Sequence, residues 1–371
     1  MDGKNVAIVG AGASGCVCAY FLSKSGIDVT LFDKNQPLKT LLPTGGGRCN
    51  LGHAEYDFKE LAKNYPRGEK FLYSVFSKFS TSDTIEMFEE MGVKTYTQSD
   101  GRIFPESNSA KVVRETILKE LRKLGVHFVQ KEVFDCAEML DKYDKVVIAT
   151  GGHSGYEILK NFNVNIKEPR PSLVGLNTKE DFKELMGTVM HRVNVEGLEG
   201  DILFTHFGVS GPLIYKISAI KAFDKMPYKL NLDLCPNLID LQEKLNISPH
   251  KEVKNILADY LLPKIVKLIL KDIDERLHGY QIDGRTRDLI LKRIHGFELT
   301  VTGTNKGEET VTAGGIDLDE INPKTMEVKK VQNLYCIGEI LNIDGFCGGF
   351  NLQNAWSTAY VCASGIILQA E

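Results

Sequence analysis

No stretch of this chain is apolar for long enough to span a bilayer, it has a single tryptophan, and it has no Cys-x-x-Cys pair. The first absence removes a helical membrane protein, which needs about 20 consecutive apolar residues. The second leaves no zinc ribbon and argues against a dithiol–disulfide oxidoreductase. The eight cysteines (Cys16, Cys18, Cys49, Cys136, Cys235, Cys336, Cys347 and Cys362) are scattered, so they read as reduced small hydrophobes and not as a disulfide framework. A large charge of one sign is missing too. The formal net charge is −4 over 371 residues, with no basic block, so no footprint for nucleic acid is expected. No charged-then-apolar leader precedes the first strand, Asn5 to Val9, and a cytoplasmic location is expected. His53, His127 and His191 lack ligand-type spacing, so no metal site is expected and the three read as structural.

What is present is a globular composition, 43% hydrophobic and 25% charged, on a chain long enough for two or three domains. The opening is a βαβ unit: apolar Val6 to Val9, a helix from Ala13 to Ser25 closed by Gly26, and a strand from Val29 to Phe32. Such a unit requires a parallel sheet covered on both faces. Helices are expected at Phe71 to Phe79, Thr84 to Met91 and Ser109 to Leu124, a hairpin turning at Asp100-Gly101, and strands at Val126 to Phe134 and Lys145 to Ala149. Near Pro169 to Pro171 the character changes. Short strands at Leu173 to Leu176, Arg192 to Val195, Asp201 to Phe204 and Lys229 to Leu232 suggest a small barrel-like domain over 171–237. Residues 238–299 read as a helical subdomain, with Ser248-Pro249 as a helix start. From about 300 the strand–glycine–helix style returns, with a strand at Leu334 to Ile337 and a helix at Gln353 to Leu368. The expected fold is therefore α/β. A discontinuous Rossmann-type domain (1–170 and 300–371) carries the inserted β domain and the helical subdomain.

Three glycine-rich segments carry the chemistry. In Gly10-Ala11-Gly12-Ala13-Ser14-Gly15, Gly10 permits the tight turn, Gly12 admits a pyrophosphate to the backbone, and Gly15 lets the helix close on the strand. The helix N-terminus offers free N–H groups to phosphate. Asp33 ends the second strand, 18 residues beyond Gly15, where a carboxylate accepts from ribose hydroxyls and repels a 2′-phosphate. The alternative is a glycine turn with no ligand. The second segment is Pro43-Thr44-Gly45-Gly46-Gly47-Arg48-Cys49-Asn50. Arg48 suits a phosphate or the N1–C2=O edge of a reduced flavin, and Asn50 a ring edge. Its alternative is a mobile loop with a surface arginine. The third runs Gly338-Glu339, Asp344-Gly345 and Gly348-Gly349-Phe350-Asn351-Leu352-Gln353. It feeds the last helix, whose N-terminus would stabilise negative charge on a reduced flavin. The alternative there is a plain loop. His206, in Thr205-His206-Phe207-Gly208, is a candidate acid or base, or a turn histidine. Cys49 is a flavin-side thiol or a packed cysteine.

These blocks, with Ala149-Thr150-Gly151-Gly152 and Phe204 to Pro212, resemble in order and over nearly the whole chain one family of FAD flavoproteins. Its members are called aminoacetone-oxidase-like and bile-acid oxo-diene-reductase-like. Thr44 departs from a common serine, and the insertion before Gly200 is short for the family. The resemblance implies FAD contacts at Ala13, Ser14, Asp33, Lys34, Gly46, Arg48, Cys49, Asn50, Val133, Thr150, Gly151, Glu339, Asn351 and Leu352, with Val133 meeting adenine through its backbone. The expected activity is an FAD-dependent oxidoreductase exchanging a hydride between flavin and a small or medium organic substrate. NAD(P)H is a candidate reductant, binding transiently in the substrate cleft because only one dinucleotide fingerprint is present. The alternatives are a flavin amine oxidase, a non-catalytic flavin redox sensor, and an NAD enzyme without flavin. The last has no use for glycine blocks at both ends of the chain.

Overall fold

A computed structural model describes residues 5–153, 155–305, 307 and 311–369. The chain divides into two units: unit 1 spans Met1–Ser172 and Val311–Glu371, and unit 2 spans Leu173–Thr310. Unit 1 contributes β1 (Asn5–Val9), β2 (Asp28–Asp33), β3 (Gly52–His53), β4 (Thr95–Thr97), β5 (Arg102–Pro105), β6 (His127–Gln130), β7 (Lys145–Ile148) and β8 (Ile166–Ser172). Unit 2 contributes β9 (Leu176–Thr178), β10 (Val189–Val195), β11 (Leu198–Phe204), β12 (Gly208–Ser210), β13 (Tyr228–Asp233) and β14 (Phe297–Thr304). Two strands, β15 (Val311–Ile316) and β16 (Leu334–Cys336), belong to unit 1 again.

The main sheet of unit 1 is parallel, in the order β16-β7-β1-β2-β6. Its central strands are apolar throughout because helices cover both faces: Val6, Ala7 and Ile8 on β1 and Val146 to Ile148 on β7 have no exposed surface. Helix α1 (Ala13–Lys24) is buried nearly all round and packs on the C-terminal helix Phe350–Leu368. Across this contact Phe21 meets Tyr360 edge-on, with ring centroids 4.9 Å apart, and Cys18 lies against Cys362. The single tryptophan, Trp356, is fully buried there and donates its indole N–H to the Leu51 carbonyl at 2.9 Å. Its truncation to alanine would cost about 3–5 kcal/mol.

The sequence places the last helix at Gln353. The structure begins it at Phe350, with Gly349 in a left-handed N-cap. Likewise, Ser248-Pro249 does not open a helix: Ser248 caps the end of Leu241–Ile247, and the next helix, Val253–Leu257, follows Glu252.

Unit 2 is a closed barrel, β10-β11-β12-β9-β14-β13, with helices attached. Alternation sets its inside: Leu230 on β13 pairs with Leu299 on β14, and these two with Leu232 and Val301 have no exposed surface, while Lys229 and Asn231 point out. Strand β14 lies beyond the helical segment yet pairs with β13. Residues 300–304, expected in the cofactor domain, therefore complete the barrel, and the helices are an excursion between two adjacent barrel strands. The chain enters and leaves unit 1 through an antiparallel ladder in which Ser172 is register partner to Val311 and Ile166 to Ile316. Among the described residues no helix is long and apolar enough to cross a membrane, and no cluster of His, Cys, Asp or Glu could hold a metal.

Candidate functional site

In the order β7-β1-β2 the chain leaves β1 toward β2 on one side, and β7 closes the other. The switch in strand order thus lies at the C-terminal end of β1, where ligands of such sheets bind. Gly10 emerges there with φ +108, and a Cβ on it would overlap the Ala149 carbonyl. A Cβ on Gly15 would overlap the Gly10 carbonyl. These two glycines are demanded by packing. Gly12 is not: its φ is −80, and a Cβ would meet nothing within 4 Å. The fold tolerates a side chain at Gly12, so the open approach to this backbone is what glycine provides. Residues Ala13, Ser14 and Gly15 open α1 in its first turn, where amide N–H groups have no intrahelical acceptor.

Asp33 does more than the sequence suggests. Its Oδ2 accepts the Ala11 N–H and its Oδ1 the Asn35 N–H, both at 2.7 Å. The carboxylate ties the glycine loop to the end of β2 and has further lone pairs with which to accept. Lys34 is exposed and paired with Glu132 at 2.8 Å. Val133 follows one residue later, partly buried against the unit 1 core.

The second segment makes a tight turn with positive φ at Gly45, Gly46 and Gly47 and again at Cys49. Gly46 and Gly47 are exposed. Cys49 has no exposed surface, and burial pushes its thiol up to about 12, so it is a protonated, packed cysteine at neutral pH and not a nucleophile. Arg48 sits over the Phe104 ring, its guanidinium carbon 4.1 Å from the centroid, with Nε donating to the Gly45 carbonyl at 3.4 Å. Asn50 is buried, and its Oδ1 has no hydrogen-bond partner among the described residues.

In the third segment side chains engage the carbonyls of Gly345, Gly348 and Phe350, and the amides at the helix start are left. Asn351 Nδ2 donates to the Gly345 carbonyl and Asn351 Oδ1 accepts the Gly345 N–H, each at 2.8 Å. Tyr65 donates to the Phe350 carbonyl at 2.6 Å, and His53 Nδ1 lies 3.2 Å from the Gly348 carbonyl. The first intrahelical bond is Gln353 N–H to Gly349, which leaves the amides of Phe350, Asn351 and Leu352 at the helix end. Asn351 therefore uses its side chain inside the protein and has its backbone to offer, as has Leu352. Asn50 Oδ1 would lie 2.8 Å from a Cβ on Gly349, so the second and third segments meet. The first and third meet where a Cβ on Gly338 would overlap the Ser14 hydroxyl. Glu339 accepts the Thr312 N–H at 2.9 Å; burial raises its pKa, offset by that N–H and by His153. Thr150 Oγ1 is buried without a partner among the described residues, and Gly151 beside it faces open space.

Unit 1 thus brings Gly10 to Gly15, Asp33, Asn50, Thr150, Gly151, Gly338, Glu339 and Asn351 to linked loops at one sheet edge. Of the histidines, His206 is exposed in the turn between β11 and β12 of unit 2, edge-on to Phe207. His127 and His191 are exposed and face Asp28 and Asp201. His53 and Phe104 were not foreseen as site residues. Gln353, which closes the third segment, is fully buried with Oε1 unpartnered among the described residues.

FAD fits this arrangement. It is anionic at the pyrophosphate and, once reduced, at N1–C2=O, and both helix N-termini present amides. Buried orphans such as Asn50 Oδ1 and Thr150 Oγ1 would each cost about 1–3 kcal/mol without a partner, and a polar ligand supplies one.

Comparison with known proteins agrees. The HI0933-like protein Rossmann domain model matches residues 4–365. A ribosomal RNA dihydrouridine synthase of Haemophilus influenzae is 31% identical over 98% of this chain and 98% of its own length. The 3-dehydro-bile acid delta(4,6)-reductase of Clostridium scindens is 26% identical over 96% and 98%. The solved 3-ketosteroid delta1-dehydrogenase of Sterolibacterium denitrificans shares the fold, with TM-score 0.52 over 100% of both chains at 12% identity. The chain belongs to the HI0933-like Rossmann family and is an FAD-dependent oxidoreductase.

Proposed function

We propose that this protein reduces a carbon–carbon double bond conjugated to a carbonyl. The observation that carries the reading is the start of the C-terminal helix, where amides are left open beside carbonyls that are already engaged. The carbonyls of Gly345, Gly348 and Phe350 are engaged by Asn351, His53 and Tyr65, so the amides there suit the charge that builds up on a reduced flavin. Bound FAD would supply hydride transfer at N5.

The chain's own residues would do the rest. The amides of Ala13, Ser14 and Gly15 would hold the pyrophosphate, with Gly12 giving it room. Asp33 would take the ribose hydroxyls, and Lys34 and Val133 would border the adenosine. Asn50, Thr150, Gly151 and Glu339 would meet the polar edges of the cofactor between its ends. Gly46, Gly47, Arg48 and Cys49 would form the turn against it, with Arg48 held on Phe104 as a fixed positive charge.

The substrate class follows from the relatives' names. Making dihydrouridine saturates the C5=C6 bond of uracil, conjugated to C4=O. A delta(4,6)-reductase acting on a 3-oxo steroid saturates a dienone. Both are conjugate additions of hydride to an enone carbon, so the same class is assigned here, with NAD(P)H as reductant and a cytoplasmic setting. The test is an anaerobic one. Purified protein should show a flavin spectrum that NADH or NADPH bleaches. Reoxidation should then follow addition of a cyclic enone, a 3-oxo-4,6-dienoic bile acid or a uridine-containing RNA. The acceptor that works separates a small-molecule substrate from RNA. Bleaching without reoxidation by any of the three, together with peroxide production from amines, would replace this reading with an oxidase.

A further inference from the structure

We propose that His53 is a positioning residue for the flavin: by holding the Gly348 carbonyl it keeps the N-terminus of the C-terminal helix a surface of donors. The inference rests on the placement of the flavin N1–C2=O edge at that helix, as proposed above.

His53 Nδ1 lies 3.2 Å from the Gly348 carbonyl. A carbonyl only accepts, so the contact requires the proton on Nδ1. The imidazole also stacks on Phe350, with centroids 4.8 Å apart and planes at 29°. Opposite, Gly101 has no side chain where a Cβ would come within 2.6 Å of Nε2. The backbone is fixed as well: Thr81 donates its hydroxyl to the His53 carbonyl at 3.0 Å, and Ala54 N–H donates to Gly101 at 2.7 Å. This is a ring held in one place with one proton directed at one carbonyl, 295 residues away in sequence.

That carbonyl matters because of its neighbours. Gly348 and Gly349 both have positive φ, 141 and 99, and lead directly into the first free amides of the helix. Without a donor, the Gly348 carbonyl becomes an acceptor beside those amides and offsets the positive end of the helix. A second polar group faces the same turn: Asn50 Oδ1, buried and unpartnered among the described residues, would lie 2.8 Å from a Cβ on Gly349. His53 thus acts on the cofactor through Gly348 and touches no reacting atom.

Two variants separate the donor from the ring. His53→Phe keeps an aromatic for Phe350 and removes the N–H. His53→Asn removes the ring and keeps an amide N–H near the Nδ1 position. Apo-protein is titrated with FAD by fluorescence quenching, and the midpoint potential of the reloaded protein is measured by dye equilibration. H53F should weaken FAD binding about tenfold, the worth of one hydrogen bond, and shift the potential to more negative values, while H53N restores most of the potential. If H53F does not fold, His53→Gln replaces it, since glutamine places its amide near Nε2, away from Gly348. H53Q should then fall below H53N. A donor-less variant with the wild-type potential, or H53N displaced as far as H53F or H53Q, makes His53 a packing residue and overturns the inference. Failure of the wild-type protein to take up FAD overturns the flavin site itself, and that is read before any variant is compared.

Discussion

Asn351 grips Gly345 at both polar atoms of its backbone, accepting its N–H and donating to its carbonyl at 2.8 Å each. One side chain thereby closes the loop that precedes the C-terminal helix. Asn351→Ala should lower the stability of the apo-protein by about 1–2 kcal/mol, two hydrogen bonds of ordinary net worth. It should also weaken FAD binding, because the helix amides lose their fixed direction. Asn351→Asp should do no better, since a carboxylate cannot donate to the Gly345 carbonyl. Thermal melts of the apo-proteins and FAD titrations check both statements.

Gly12 and Gly15 should respond oppositely to the same methyl group. A Cβ at Gly12 enters open space, whereas one at Gly15 overlaps the Gly10 carbonyl. Gly12→Ala should leave the apo-protein within about 1 kcal/mol of wild type and reduce FAD affinity at least about tenfold, because the methyl occupies the pyrophosphate approach. Gly15→Ala should destabilise the fold itself, by at least about 3 kcal/mol. Equal FAD affinity in G12A and wild type would count against a pyrophosphate at this loop.

Asp33 carries two duties, so its variants should show both. Asp33→Ala should weaken FAD about 10- to 100-fold, through ribose contacts and through release of the Ala11 and Asn35 amides. Asp33→Asn should rescue only partly, because both carboxylate oxygens accept backbone N–H groups and one end of an asparagine amide would face a donor. Isothermal titration of apo-protein with FAD measures the ranking.

Cys49 should be chemically quiet. With its thiol pushed up to about 12 by burial, the thiolate fraction at pH 8 is roughly one in 10⁴. Iodoacetamide at pH 8 should label Cys347, which is exposed although partial burial raises its thiol too, before Cys49, as read by peptide mass spectrometry. Cys49→Ser should keep turnover within about threefold. Loss of turnover in C49S with normal FAD content would restore a redox role for the thiol.

What the sequence made legible was local. The βαβ opening, the packing demands at Gly10 and Gly15, and the return of the Rossmann pattern after the insertion all follow from short-range spacing. The role of His53 was not legible, because its partners Gly348 and Phe350 lie some 295 residues away and only the fold joins them. The same holds for Arg48, whose ring partner Phe104 sits on a hairpin strand. Barrel closure by β14 was hidden by the helices that separate it from β13. A strand reads alike whichever neighbour it finds, so the boundary near residue 300 followed glycine content and not pairing.

The ladder between β8 and β15 has a consequence for how such a chain can be taken apart. Ser172 and Val311 are register partners, so the two cut ends left by removing residues 173–310 would already stand opposite each other like the arms of a hairpin. A two-residue turn such as Asn-Gly could reconnect them without stretching either strand. The chain is, in this sense, a Rossmann unit with a cassette spliced into one hairpin.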